Sequence, residues 1–329
     1  NVMKSVLMSN ESAGRLTDKC FILIVDGSAY KFTSDGSTVT CSELENLYSS
    51  QEETDTRVIV YLKYAKDEGY KIAKVRSPDS DVLFILLYYA EQLKPLVIYF
   101  DTGTQAHRRL INISTLAISL TPRYCEFLLG LYCFTEEDSN CAFKGKGKVG
   151  PLKKAEQKQK FMDTFIKLGT DWVLDAETHT QLEEFTCSMY GHPRSTDVNK
   201  VRCSMLKKAT GGNTTAINKV KKVDLSRIPP CKRSLTPHSS RVNFRVAQWK
   251  RAHVHNPEIP KPTMEHGWTI ENGTLEPLWS DGPVLPSTML EVLDPSKSEL
   301  EDPEQTENDI VTLDDSDDCA SSSDSETDT

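Results

Sequence analysis

In the stretch RSPDSDVLFILLYY, residues 76–89, two aspartates stand two positions apart, where one apolar run ends and the next begins. Carboxylates are costly to desolvate unless they are paired, hydrogen-bonded or bound to a cation. Asp79 and Asp81 therefore mark either an ordinary turn or a metal site. Further acids precede them: Glu52, Glu53 and Asp55 open a helical pattern, where the macrodipole and free amides accept negative charge without any ligand. Two acidic clusters at one sheet edge repel each other unless a cation lies between them, and an all-oxygen donor set suits Mg²⁺ or Mn²⁺. A third acidic turn, Glu136, Glu137 and Asp138, leads into a glycine- and lysine-rich run, CAFKGKGKVG.

Turn residues and apolar periodicity give the elements that must position these acids. CFILIV (20–25), a DGS turn and the alternating AYKFT (29–33) predict a hairpin. SQEETDTRVIVYLKYAKDEG (50–69) places Ser50 and Glu53 in capping-box register and ends at Gly69, which predicts a helix with both boundaries marked. Next come a strand in YKIAKVRS, a helix in SDVLFILLYYAEQLK and a strand in PLVIYFD. This βαβ unit calls for a buried parallel sheet with helices on its faces, and ligands gather at the carboxyl ends of such strands. Asp79 and Asp81 follow the first of these strands, and Asp101 closes the second. Farther on, TQLEEFTCSMYG (180–191) and SRVNFRVAQWKRAHV (240–254) read as helices, the second with Val242, Val246 and Trp249 at core-facing spacing. HGWTIENGTLEPLW (266–279) reads as a small hairpin with a packed tryptophan pair.

Charge divides the chain. The 329 residues carry a formal net charge of −9, but from Asp294 onward there are 14 acidic residues against one lysine, so the body is mildly basic. Between Lys144 and Lys261 stand 24 Lys/Arg against 10 Asp/Glu, the footprint of a polyanionic partner such as nucleic acid. Lys144, Lys146 and Lys148, with Gly145 and Gly147 between them, form a loop that lets backbone approach phosphates. Arg241, Arg245, Lys250 and Arg251 flank the apolar stripe of 240–254 as further candidate phosphate contacts. Gly145, Gly147 and Gly150 match GxGxxG in form, but no strand precedes them and Pro151 interrupts the helix register, so no dinucleotide site is expected. The acidic tail has too few apolar residues to offset its ordering entropy and is expected to be disordered.

Nine cysteines without a CxxC pair suggest neither a disulfide framework nor a zinc module. No apolar run reaches membrane-spanning length and no signal-type segment opens the chain, so a membrane partner is not expected and the expected compartment is intracellular, with the nucleus a candidate. The first residue is Asn, and the true start is expected upstream. No Ser/His/Asp or Cys/His arrangement suggests a side-chain nucleophile.

Taken in order, QEETDTR, SPDSDVLFIL and FTEEDSNCAFKGKGK resemble an uncharacterised animal protein family associated with mobile elements, whose versions read approximately EEADTR, SPDTDVLVL and TGCDTTSxFxGKGK. That pattern is similar to the flap-endonuclease and PIN-like nuclease superfamily. The resemblance covers roughly residues 20–290 and implies an α/β, PIN-like parallel sheet flanked by helices over 20–155, after a short N-terminal remnant (1–19). A mainly helical basic region (156–293) and the disordered acidic tail (294–329) would come next. It also implies Mg²⁺ or Mn²⁺ held by Glu53, Asp55, Asp79, Asp81 and Asp138, with Gly145, Lys146, Gly147 and Lys148 as the phosphate-approaching loop. The activity implied is metal-dependent hydrolysis of phosphodiesters in DNA or RNA. Two departures stand out: Glu136-Glu137 replaces the family's Gly-Cys, and no early strand carries the expected first aspartate, Asp26 lying in a hairpin turn. These departures keep open a catalytically inactive nucleic-acid-binding or interaction protein on the same fold.

Overall fold

The computed structural model describes residues 2–136, 143–209 and 224–280. Two short helices, α1 (Val2–Leu7) and α2 (Asn10–Leu16), lead into an antiparallel meander of β1 (Cys20–Val25), β2 (Ser28–Ser34) and β3 (Val39–Glu43). The first turn is where the sequence puts it. Asp26 and Gly27 both adopt left-handed backbone, with φ of 50° and 82°, as a two-residue type I′ turn requires. The register runs from Cys20↔Thr33 to Val25↔Ser28. Ala29 and Leu47 pack with Val60 of the next helix and fasten the meander to the rest of the chain.

That helix is α3 (Thr54–Asp67). It begins at Thr54, with Glu53 as an extended N-cap that makes no side-chain cap bond, so the capping box expected from Ser50 and Glu53 does not form. Ser50 is held elsewhere: its amide donates to Asn256 Oδ1 at 2.9 Å and to the His255 carbonyl at 3.2 Å. The βαβ unit comes next as β4 (Ile72–Arg76), α4 (Ser80–Tyr89) and β5 (Val97–Thr102), with β4 and β5 parallel from Ile72↔Val97 to Arg76↔Asp101.

The sheet is smaller than expected. After β5 the chain turns through Gly103 (φ 84°) into β6 (Arg109–Asn112), which pairs antiparallel with β5. Parallel pairing requires a crossover of a dozen or more residues, and the short connection from Thr102 to Arg109 does not supply one. The result is a mixed three-stranded sheet of order β4-β5-β6 beside the separate meander.

Helices make up most of the described residues beyond this sheet: α5 (Ile113–Leu120), α6 (Pro122–Glu136), α7 (Val149–Glu156), α8 (Gln159–Lys167), α9 (Ala176–Met189), α10 (Val198–Ala209) and α11 (Lys232–Trp249). The expected helix at 240–254 thus starts earlier and stops at Trp249, but Val242, Val246 and Trp249 are buried as the spacing indicates. A final hairpin, β7 (Trp268–Glu271) and β8 (Thr274–Pro277), turns on Asn272 and Gly273, again with positive φ at both.

One apolar core runs from Ile59 in α3, through Leu86, Phe134 and Phe165, to Trp249 and Ala252. It crosses residue 155, so the α/β elements and the helical region beyond them share one interior. Gly130 on α6 lets two backbones meet there, because a Cβ at this position would lie 2.3 Å from the Phe165 carbonyl oxygen on α8. The acidic tail expected to be disordered lies outside the described residues.

Candidate metal centre

Asp79 is the N-cap of α4, with extended backbone (φ −84°, ψ 130°), and its Oδ1 accepts from the Asp81 amide at 2.9 Å. This is the ordinary reason for an aspartate in that place: the cap answers an orphan helix donor. Ser77 braces the turn, its Oγ accepting from the Asp79 amide at 3.1 Å. Asp81 stands in the first turn of α4, and Asp55 in the first turn of α3.

The two helix starts face each other. Asp55, Asp79 and Asp81, all half-buried, each offer a carboxylate oxygen, and these oxygens lie within 4.8 Å of one another. The donors are all oxygen, the set preferred by hard divalent cations. Burial raises the Asp55 pKa above the usual aspartate value; Asp79 and then Glu53 raise it further, and Arg245 opposes them. Three like charges therefore share one site in which a cation would relieve their repulsion.

Tyr132 of α6 supports the group from below. Its hydroxyl donates to Asp81 Oδ1 at 2.6 Å and lies 2.7 Å from Ser80 Oγ. Stacking on Phe84, with centroids 4.0 Å apart, fixes the ring. Burial, and then the hydrogen bond to Asp81, push the phenol pKa well above its ordinary value, so the hydroxyl keeps its proton and remains a donor. This residue has no signal in the sequence.

Glu53, expected among the metal ligands, is not part of the carboxylate group. Its Oε1 pairs with Arg245 Nη1 at 2.5 Å. Asp138, expected as the acid before the loop, lies outside the described residues, as does Glu137. Asp101 closes β5 as expected but is buried and faces cations. Arg108 first, then Arg76, hold its carboxyl down to about 2 against burial, and Lys74 lies 4.0 Å away.

The lysine loop reaches the centre at one end. Gly145 and Gly147 take positive φ of 77° and 55°, and the Lys148 ammonium sits 5.4 Å above the Tyr132 ring. Lys146 lies 4.5 Å over the Tyr190 ring, and Lys144 pairs with Asp224 at 3.2 Å on the surface.

The cations of α11 are placed differently from what their position in the sequence suggests. Arg241 is buried and donates to the carbonyls of Gly267 (3.1 Å) and Leu278 (2.8 Å), which holds the final hairpin. Lys250 is nearly buried between Glu126 Oε1 and the Ile166 carbonyl, each 2.7 Å away, and burial lowers its pKa despite the Glu126 partner. Arg251 donates to the carbonyls of Gly169, Ala247 and Thr170. Arg245 holds Glu53. These four positions serve the interior and the α3–α11 contact, because a long cation can satisfy helix-end and loop carbonyls that no other donor reaches.

Among the described residues no helix is long and apolar enough to cross a membrane. Compared with known proteins, the chain matches no protein-family model, no curated protein and no solved structure.

Proposed function

We propose that this chain is a divalent-metal-dependent nuclease of PIN-like character, hydrolysing phosphodiesters in DNA or RNA, with Asp55, Asp79 and Asp81 as its metal carboxylates. The observation that carries this reading is the convergence of those three carboxylates, from the starts of two helices, to within 4.8 Å of one another. A bound Mg²⁺ or Mn²⁺ would supply Lewis-acid polarisation of a phosphoryl oxygen and a water of lowered pKa. The chain's own residues do the rest. Asp79 is fixed as a cap, Tyr132 holds one oxygen of Asp81 in place, and Phe84 fixes the tyrosine. Lys148, above Tyr132, brings a positive charge near the site where a phosphate would come to rest. No side-chain nucleophile is required, because the attacking group in such chemistry is water.

The ion pair between Glu53 and Arg245 favours a second reading. With Glu53 neutralised, the described cluster offers three carboxylates, which is enough to hold a cation as a structural element without hydrolysis. Calorimetry with Mn²⁺ separates these readings when combined with a cleavage assay on labelled single- and double-stranded DNA and RNA. The nuclease reading requires saturable binding that Asp79→Asn/Asp81→Asn abolishes, together with Mn²⁺-dependent cleavage lost in the same variant. Binding without cleavage selects the structural cation, and no binding by the unaltered chain removes both.

A further inference from the structure

The loop that carries Lys148 to Tyr132 begins, at Phe143 and Lys144, in the wall of a separate cavity of about 330 Å³. Small-molecule sites start at roughly 300 Å³, so this one has room for a single compact ligand. Its walls combine two chemistries. Tyr190 and Trp279 supply aromatic surface, Trp279 being 60 % exposed, while Lys144 and Arg202 supply positive charge. No described carboxylate residue lines it.

The state of these groups points to a ligand with three features. Arg202 donates to the Pro229 carbonyl, and among the described residues no carboxylate pairs with it, so its charge is available to an anion. Lys144 is held by Asp224 in an exposed pair, an interaction worth little and readily exchanged for a phosphate. His238, also in the wall, is buried. Its Nε2 lies 3.1 Å from the Phe134 carbonyl, which can only accept, so Nε2 carries the proton. Burial first, and Arg241 second, hold the imidazole down to about 4, so it is neutral and its Nδ1 is an acceptor. That acceptor has no hydrogen-bond partner. Buried acceptors are nearly always paired; Nδ1 is closed off from solvent, and an N–H donor on a ligand that shifts the cavity wall beside His238 would answer it.

We propose that this cavity binds a nucleoside monophosphate group, its phosphate held by Arg202 and Lys144 and its amino-bearing base lodged among Tyr190, Trp279 and His238. An anion, a flat aromatic face and an exocyclic amine are the features that these walls recognise, and base–aromatic stacking contributes on the order of 1–3 kcal/mol. None of Asp55, Asp79 and Asp81 lines this cavity, and its occupant does not depend on their chemistry.

Calorimetry on the full chain in EDTA tests it, with adenosine 5′-monophosphate, adenosine, inorganic phosphate, and a trinucleotide of adenylate with and without a 5′-phosphate. Adenosine 5′-monophosphate should bind saturably at one site, and adenosine or phosphate alone at least tenfold more weakly. Arg202→Gln and Trp279→Ala should each weaken it at least tenfold, whereas Trp279→Phe, which keeps the aromatic face, and Asp79→Asn/Asp81→Asn should bind as the unaltered chain does. If the phosphorylated trinucleotide binds equally well and the unphosphorylated one does not, the occupant is the 5′ end of a strand; if neither binds, it is a free nucleotide. Thermal midpoints of the variants show whether a loss is local, and Trp279 is exposed enough to be truncated without opening the core. Absence of saturable binding, equal affinity in Arg202→Gln and Trp279→Ala, or loss in Asp79→Asn/Asp81→Asn overturns the proposal.

Discussion

Asp55 ties the carboxylate group to stability. Its pKa is raised by burial, by Asp79 and by Glu53, so the folded state binds its proton more tightly than the unfolded state does. The stabilisation that this gives is fully present below the unfolded value near ~3.9 and is lost as pH rises through the folded value. Ionised Asp55 therefore carries the cost of burial and of its acidic neighbours, a cost that a bound cation would relieve. Asp55→Asn should raise the thermal midpoint in EDTA at pH 7 and bring no gain at pH 3. If the cluster binds Mn²⁺ as proposed, the same variant should lose the stability that a hundredfold excess over Kd would add to the unaltered chain, about 2.7 kcal/mol. A midpoint lowered in EDTA, with the Mn²⁺ response intact, would remove Asp55 from the site. The place of Asp79 and Asp81 at a strand-to-helix junction was legible, but capping alone accounts for Asp79, and what sets the pair apart is its approach to Asp55, which local sequence does not show. Tyr132 was not legible, since its bond to Asp81 spans 51 residues and nothing local to it differs from a core tyrosine. Glu53 misled for the same reason: its partner Arg245 is 192 residues away, and first-turn acids look alike whether they face a metal or an arginine.

At the scale of elements, local chemistry was the reliable guide. The Asp26-Gly27 turn, the βαβ order and the final hairpin on Asn272-Gly273 arise from signals only a few residues long. Contacts between distant elements were hidden, and these decide where α3 begins and how narrow the sheet is. Ser50 leaves its expected capping role because His255 and Asn256 claim its amide. Gly130 is a similar case, a glycine inside α6, where helix propensity alone counts against it. Its missing Cβ is what allows α6 and α8 to touch, with the Phe165 carbonyl oxygen only 2.3 Å from where that atom would stand. Gly130→Ala would improve helix propensity by about 1 kcal/mol in an isolated helix. Here it should cost about 1–3 kcal/mol instead, because neither backbone can yield without moving Phe165 out of the core. Urea unfolding of the two chains measures this directly, and equal or greater stability of the alanine variant would mean that the α6–α8 contact is looser than this spacing requires.

For the molecule as a whole, the basic excess between Lys144 and Lys261 is not all surface charge. Arg241, Lys250 and Arg251 are committed to interior carbonyls and to Glu126, so part of the charge counted in the sequence is structural. Composition could show how many cations there are but not which side of the fold they reach. Lys144, Lys146 and Lys148 lie instead on one loop that runs from the cavity beside Tyr190 to the ring of Tyr132. If nucleic acid is the partner, this loop is where phosphates should release counterions, and each contact contributes about 0.7 to the salt slope for a single strand and about 0.9 for a duplex. Lys144→Gln/Lys146→Gln/Lys148→Gln should therefore flatten the dependence of log affinity on log salt by about 2 to 3 for a bound oligonucleotide, with its thermal midpoint nearly unchanged. Arg251→Gln should do the reverse, leaving the slope as it was and lowering the midpoint, since its guanidinium bonds three carbonyls and stacks over Trp172 at 4.4 Å. A slope altered by Arg251→Gln and untouched by the three loop lysines would place the polyanion on a different face and detach the loop from the carboxylate centre that it borders.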